Sequence, residues 1–211
     1  MPRMITPGEM YLNSVDASAK VIDRDQTRIA YVRLRSYAGA QYHEAVKELV
    51  LFGALSQADG LVLDIRGGWG GANPDYLNLF NHAIPVFTFI DRDDNHRRFD
   101  TQWRKPVVLL VDQGSRSGKE VLAYGFKKFG IGKVVGSTTA GAVVGGRPFL
   151  LSDGSLLYLA VQDVLVDGDR LEGVGVTPDV EVEFTIPNAN GADPQLEKAI
   201  DVLLDDIRMA R

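Results

Sequence analysis

Short continuous apolar runs alternate along the chain with stretches whose apolar residues recur at helical spacing. "AKVIDRDQTRIAYVRL" predicts two strands around a polar turn at Asp23 to Thr27. "GLVLDIR" is a continuous apolar run ending in charges, which suits a buried strand. "IPVFTFI" and "KPVVLLVD" read as two more strands, and "GKVVGS" begins another. A helix fits Gln41 to Ser56, with Ala45, Leu49, Phe52 and Leu55 on one face. A short helix follows the glycine-rich turn "GGWGGANP" from about Asp75. Another fits Ser117 to Phe129, closed by Gly130 as its C-terminal cap. From Gly141 to Phe184 short strands alternate with Gly and Asp turns. The last segment places Asp193 as N-cap and Pro194 at the first helical position. Leu196, Ala199, Ile200, Leu203, Leu204 and Ile207 form its apolar face. This alternation predicts an α/β fold with a parallel core sheet, β-hairpins near the end and a C-terminal amphipathic helix.

Composition narrows the function classes. A chain of 211 residues with 45% hydrophobic content can bury a sizeable core, as one large domain or two small ones. The net charge of −5 and the lack of any basic stripe argue against a nucleic-acid partner. The densest basic stretch, His96 to Arg98, is interrupted by Asp93, Asp94 and Asp100. With no cysteine, disulfides, thiolate metal sites and a Cys nucleophile are all excluded. No apolar run approaches the roughly 18 residues of a membrane span, and "MPRMITPGEM" has no apolar segment of the kind a signal peptide carries.

The candidate chemistry centres on "DQGSRSGKE", Asp112 to Glu120. A phosphate-binding loop fails on spacing: only three residues separate Gly114 from Gly118, and Glu120 follows Lys119 where a hydroxyl is required. Ser117 to Glu120 matches S-x-x-E, a capping box. The same corner, at the carboxyl end of a buried strand, is where α/β proteins place their sites. A helix N-terminus there offers free N–H groups to an oxyanion formed by a Ser117 nucleophile. "LDIRGGWGGANP" supplies a second glycine-rich loop after a strand, whose backbone can approach a ligand closely. Trp69 within it reads either as a residue facing substrate or as a plug over the turn. "DGD" at Asp167 to Asp169 reads as a hairpin turn, since a calcium loop needs further ligands. In "VTPDVEVEF", Asp179, Glu181 and Glu183 read as the wet face of a half-exposed strand.

"IAYVRLRSYAG", "GLVLDIRGGWGGA", "KPVVLLVDQGSRSGKE", "VVGSTTAGAVVGG" and "LEGVGVTPDVEVEF" occur in the order seen in tail-specific, or C-terminal-processing, serine peptidases. The resemblance covers about residues 28 to 184 and implies a ClpP/crotonase-like core of repeated ββα units. It implies that Ser117 is the nucleophile and that Glu120 matches the glutamate of the catalytic block. The oxyanion donors fall on Gly71 and Gly118. Many members carry a general-base lysine and a glutamine further on; those positions are Ala142 and Gly146 here. A branch resembling tricorn and retinoid-binding-protein modules also carries "TAG", and its tricorn-type members use a His and a Glu. Glu172 is the match to that Glu. The base itself stays open between His43, Lys119 and another group. His43 reads as an exposed first-turn residue, and His82 and His96 as solvated connectors. Lys119 also reads as a solvated first-turn residue, about 200° around the helix from Ser117.

The expected organisation is an N-terminal extension or upstream remnant at 1–27 and a catalytic core at 28–211, with no room for the family's PDZ module. The expected function is a serine peptidase acting on peptides or proteins through an acyl-enzyme on Ser117, without metal or organic cofactor. A catalytically inactive peptide- or lipophile-binding module on the same fold is the rival, and a crotonase-like acyl-CoA enzyme the weaker third. The resemblance implies a periplasmic or cell-envelope location, with the cytoplasm as alternative, and leaves oligomer formation open.

Overall fold

The computed structural model describes residues 6–184 and 191–210. Helix α1 (Pro7–Ser18) is followed by strands β1 (Lys20–Arg24) and β2 (Thr27–Arg33), helix α2 (Ala40–Leu51) and β3 (Gly60–Asp64). A 3-10 helix (Pro74–Phe80), strands β4 (Phe87–Ile90), β5 (His96–Phe99) and β6 (Val107–Val111), and helix α3 (Gly118–Phe129) come next. Then follow β7 (Val134–Gly136), β8 (Gly145–Leu150), β9 (Leu156–Gln162), β10 (Leu165–Val166), β11 (Asp169–Arg170), β12 (Val180–Glu181) and α4 (Pro194–Ala210).

One six-stranded sheet, ordered β1-β2-β3-β6-β7-β12, forms the centre. All its neighbours run parallel except β1, the hairpin partner of β2. Every residue of β3 and β6 is buried, as continuous apolar runs require when both faces are covered. Side chains divide by the two-residue period of a strand. Ala30, Val32, Leu61, Leu63 and Leu109 point into a core shared with α1, α2 and α3. Ile29, Tyr31, Val62, Val108 and Leu110 point to the other face, where α4 lays down Ala199, Ile200, Leu203, Leu204 and Ile207. This is the α/β architecture with a parallel sheet that the sequence pattern predicts.

Details depart from expectation for local reasons. Helix α2 stops at Leu51, short of Ser56, and turns Tyr42, Val46 and Val50 inward. Phe52 lies outside the core and stacks on Phe99 at 6.3 Å. Strand β4, from "IPVFTFI", never joins the sheet; it pairs with β5 as an exposed hairpin. Strands β8 and β9 form a second free hairpin, with β9 exposed throughout and β8 a mix of half-buried and exposed residues. Asp167 and Gly168 make the predicted turn between β10 and β11, both at positive φ. Only Val180–Glu181 of the "VTPDVEVEF" segment forms strand, and Asp179 is engaged: it accepts from the Val134 N–H at 2.9 Å. Residues 7–24 pack onto the rest. Helix α1, capped by a Thr6–Glu9 box, buries Val15 and touches α2 and β2.

A buried ion cluster ties the sheet to α4. Asp64, fully buried at the end of β3, accepts from the Tyr31 hydroxyl at 2.8 Å and from Arg66 Nε and Nη2 at 3.0 and 2.7 Å. Arg66 reaches on to Asp193, the N-cap of α4, at 2.9 and 2.7 Å. Removing one partner of such a cluster leaves a buried charge uncompensated. Arg66→Met is therefore expected to lower unfolding free energy by about 3 kcal/mol or more, seen as a lower urea midpoint. An unchanged midpoint would show that the cluster contributes nothing net.

Candidate active site

Strands β2, β3, β6 and β7 are parallel, so the segments after their carboxyl ends meet at one edge of the sheet. Four segments converge there: 34–39, 65–73, 112–117 and 137–144.

Ser117 caps α3 with φ +56° and ψ −129°. A serine in this region is strained by about 1–3 kcal/mol, as at the sharp strand-to-helix turn that exposes a nucleophile. Surrounding bonds hold it. Its N–H donates to Ala142 O at 2.9 Å and to Glu120 Oε2 at 3.0 Å. Neighbouring Ser115 is wholly buried, and its hydroxyl donates to Ile65 O at 3.1 Å. No side chain among the described residues hydrogen-bonds the Ser117 hydroxyl.

Glu120 is fully buried. Besides the Ser117 N–H, its carboxylate accepts from Thr139 Oγ1 at 2.6 Å and from the N–H groups of Gly141 and Ala142 at 2.6 and 2.8 Å. The predicted Ser117–Glu120 capping box is present, with Glu120 reaching back to the Ser117 N–H; the Glu120 N–H also donates to the Ser117 carbonyl at 2.8 Å. Thr139 carries the network on, accepting from the Val176 N–H at 2.7 Å. Glu172 works one step further out. Its Oε2 accepts from the Val143 and Val144 N–H groups at 2.7 and 3.1 Å. Both glutamates thus hold the segment that includes Ala142, and neither touches the Ser117 hydroxyl.

The glycine loop meets Ser117 directly. A Cβ on Gly70 would lie 2.5 Å from Ser117 Cβ, and one on Gly118 would lie 2.3 Å from Ala72 N. These contacts exclude any side chain at either position. Gly71 adopts φ +95°, and neither its N–H nor that of Gly118 donates to any described group. Gly118 is the first residue of α3, so its N–H is one of the free groups at a helix start. Trp69 is 62% exposed, which rules out its reading as a plug.

Lys119 corrects the sequence reading. It is fully buried, and its Nζ donates to Gly67 O at 2.5 Å and Arg35 O at 3.2 Å. Burial pushes its pKa down to about 7. Asp112 takes the other side of Gly67, accepting its N–H at 2.8 Å. His43 is likewise not an exposed first-turn group. Its half-buried ring stacks on Tyr76 at 4.0 Å, and burial lowers its pKa. His82 lines a neighbouring groove, and exposed His96 pairs with Asp94 at 3.2 Å. Thr139, Asp112 and Gly70 were not singled out from the sequence. The one signal was Asp112, an acid closing an apolar strand.

Beside α3 runs a groove of about 930 Å³, lined by Pro74, Leu77, Val121, Tyr124, Phe129 and Leu165 among others. Val121 is the first α3 residue in its lining, one helical turn after Ser117. Among the described residues no cluster of His or acids could hold a metal, and no helix is long and apolar enough to cross a membrane.

A serine on a strained helix cap with free N–H groups beside it has the layout of a serine-type hydrolase. Residues 28–182 match the profile of peptidase family S41, and the chain belongs to that family. Tricorn protease of Thermoplasma acidophilum is 29% identical over 214 residues, 94% of this chain and 19% of the relative. Tricorn protease homolog 1 of Streptomyces coelicolor is 37% identical over 197 residues, 90% of this chain and 18% of the relative. Carboxy-terminal processing protease CtpB of Bacillus subtilis is 27% identical over 222 residues, 98% of this chain and 45% of the relative. The crystal structure of the tricorn protease superposes with a TM-score of 0.72 at 25% identity, covering 95% of this chain and 19% of that one. The chain spans less than half the length of each of these relatives. The resemblance read from the five sequence blocks, and the serine-peptidase class it implies, are thereby established.

Replacing one oxygen of a four-donor carboxylate by an NH₂ group sets donor against donor. Glu120→Gln is expected to destabilise the chain by about 2–3 kcal/mol, with a lower urea midpoint at unchanged m-value. Faster hydrogen exchange at residues 139–142 would accompany it. Wild-type exchange there would overturn the assignment of Glu120 as the anchor of that segment.

Proposed function

We propose that this chain is the catalytic domain of a serine peptidase that cleaves peptide bonds through an acyl-enzyme on Ser117. One observation carries the reading: strained Ser117 lies against the glycine loop, with the N–H groups of Gly71 and Gly118 free of other partners. In the reaction Ser117 Oγ bonds to a substrate carbonyl carbon, and the carbonyl electrons move onto oxygen. The Gly71 and Gly118 N–H groups receive that oxyanion. A base takes the Ser117 hydroxyl proton and passes it to the amine as the C–N bond breaks, and water then hydrolyses the ester, giving one proton back to Ser117 Oγ. Glu120 and Glu172 are positioning residues in this scheme: backbone and Thr139 donors fill both Glu120 oxygens, and Glu172 Oε2 accepts the Val143 and Val144 N–H groups. The groove, whose first α3 residue lies a turn beyond Ser117, supports an extended peptide as substrate, with apolar side chains against Leu77, Val121 and Phe129. The base stays open between His43 and Lys119: burial favours the neutral, proton-accepting form of both, and neither hydrogen-bonds the Ser117 hydroxyl. A periplasmic or cell-envelope setting is part of this reading, by resemblance to C-terminal processing proteases; one such relative is named as chloroplastic.

The second reading, a peptide-binding module, draws on a specific observation: no side chain accepts a proton from Ser117 in the resting structure. A fluorophosphonate probe separates the two. The catalytic reading expects one adduct, located by mass spectrometry on Ser117 and absent from Ser117→Ala. Gly118→Ala, whose Cβ would collide with Ala72, is expected to slow labelling by about 10²-fold or more. A folded wild-type chain that takes no label would favour the binding module.

A further inference from the structure

We propose that Lys119 is a positioning residue whose buried ammonium group clamps the glycine loop and so sets the Gly71 N–H against Ser117. This deepens the serine-peptidase reading and rests on it. The geometry is specific. Lys119 lies on the core face of α3 with Leu122, Ala123 and Phe126, yet it ends on two carbonyls. Gly67 is held from both sides, its carbonyl by Lys119 and its N–H by Asp112 at 2.8 Å. The second carbonyl, of Arg35, also accepts the Trp69 N–H at 2.8 Å. One side chain therefore joins the helix that carries the nucleophile to both ends of the stretch from Gly67 to Trp69. The donor Gly71 lies two residues on.

An apolar residue of similar length would fill the same space without burying a charge, but would leave the Gly67 carbonyl without its donor. Packing alone therefore does not account for an ammonium here. The clamp also has a predictable pH response. Burial opposes its charge most, Asp64 and Asp112 favour it, and Arg33 and Arg35 add to the effect of burial, which brings its pKa to about 7. Above that pH the amine is neutral, has one donor fewer and loses charge assistance. The loop loosens as pH rises. Global stability moves the other way: between about 7 and the ordinary lysine value the unfolded chain binds the extra proton, so this group makes stability rise with pH.

Hydrogen exchange by mass spectrometry over residues 64–76, corrected for intrinsic rates, tests this in wild type and Lys119→Met from pH 6 to 8.5. Protection of the loop is expected to drop about tenfold in Lys119→Met at pH 6. In wild type it is expected to fall by a similar factor across the pH range, with no such fall in the variant. At pH 6 the fluorophosphonate labelling rate of the variant is expected to fall about tenfold or more. Equal loop protection in both proteins, or a pH-independent loop in wild type, would overturn the clamp. The wild-type pH series stands even if the variant does not fold. Wild type that takes no label would defeat the peptidase reading, and exchange would still decide the clamp.

Discussion

Everything at the carboxyl edge of the sheet depends on one buried carboxylate. Glu120 gathers the Ser117 N–H, the Thr139 hydroxyl and two backbone N–H groups of the segment after β7. Donors contributed from separations of 19 to 22 residues are thereby locked to the first turn of α3. A carboxylate in that first turn also meets the positive end of the helix dipole. The strain at Ser117 persists because these bonds leave the chain no relaxed alternative.

Lys119 and Glu120 are sequence neighbours with opposite assignments. On a helix, adjacent residues point about 100° apart, so Lys119 reaches the loop after β3 while Glu120 reaches the loop after β7. The lysine sits on the wrong end of the dipole, adding to the electrostatic cost of its burial. Together the pair fixes Ser117 between the two loops without hydrogen-bonding its hydroxyl. The Asp64–Arg66–Asp193 cluster does comparable work one layer below, joining the end of β3 to α4.

The sheet was legible because strands covered on both faces must be continuously apolar, as "GLVLDIR" and "KPVVLLVD" are. The strand-to-helix corner at Ser117 was legible because strand, glycine, serine and S-x-x-E are all local signals. Lys119 was missed although Lys119, Leu122, Ala123 and Phe126 share one helical stripe, because charge was taken to mean solvent. The roles of Thr139 and Asp112 rest on hydrogen bonds to residues distant in sequence, which no local pattern encodes. Helix α1 escaped notice because Val15 is its one buried residue, too weak a stripe to read. Apolar content misled at "IPVFTFI", where Phe87, Phe89 and Ile90 remain exposed in a free hairpin.

The backbone of Ser117 carries a consequence for how such a chain would drift over generations. At φ +56° glycine is the residue that relieves the strain, so loss of the hydroxyl would bring a gain in stability. Once proteolysis ceased to matter, selection would lose its reason to oppose that exchange, and mutation would tend to soften the corner. A serine here, on a backbone that disfavours it, is what continued use of the hydroxyl would leave behind.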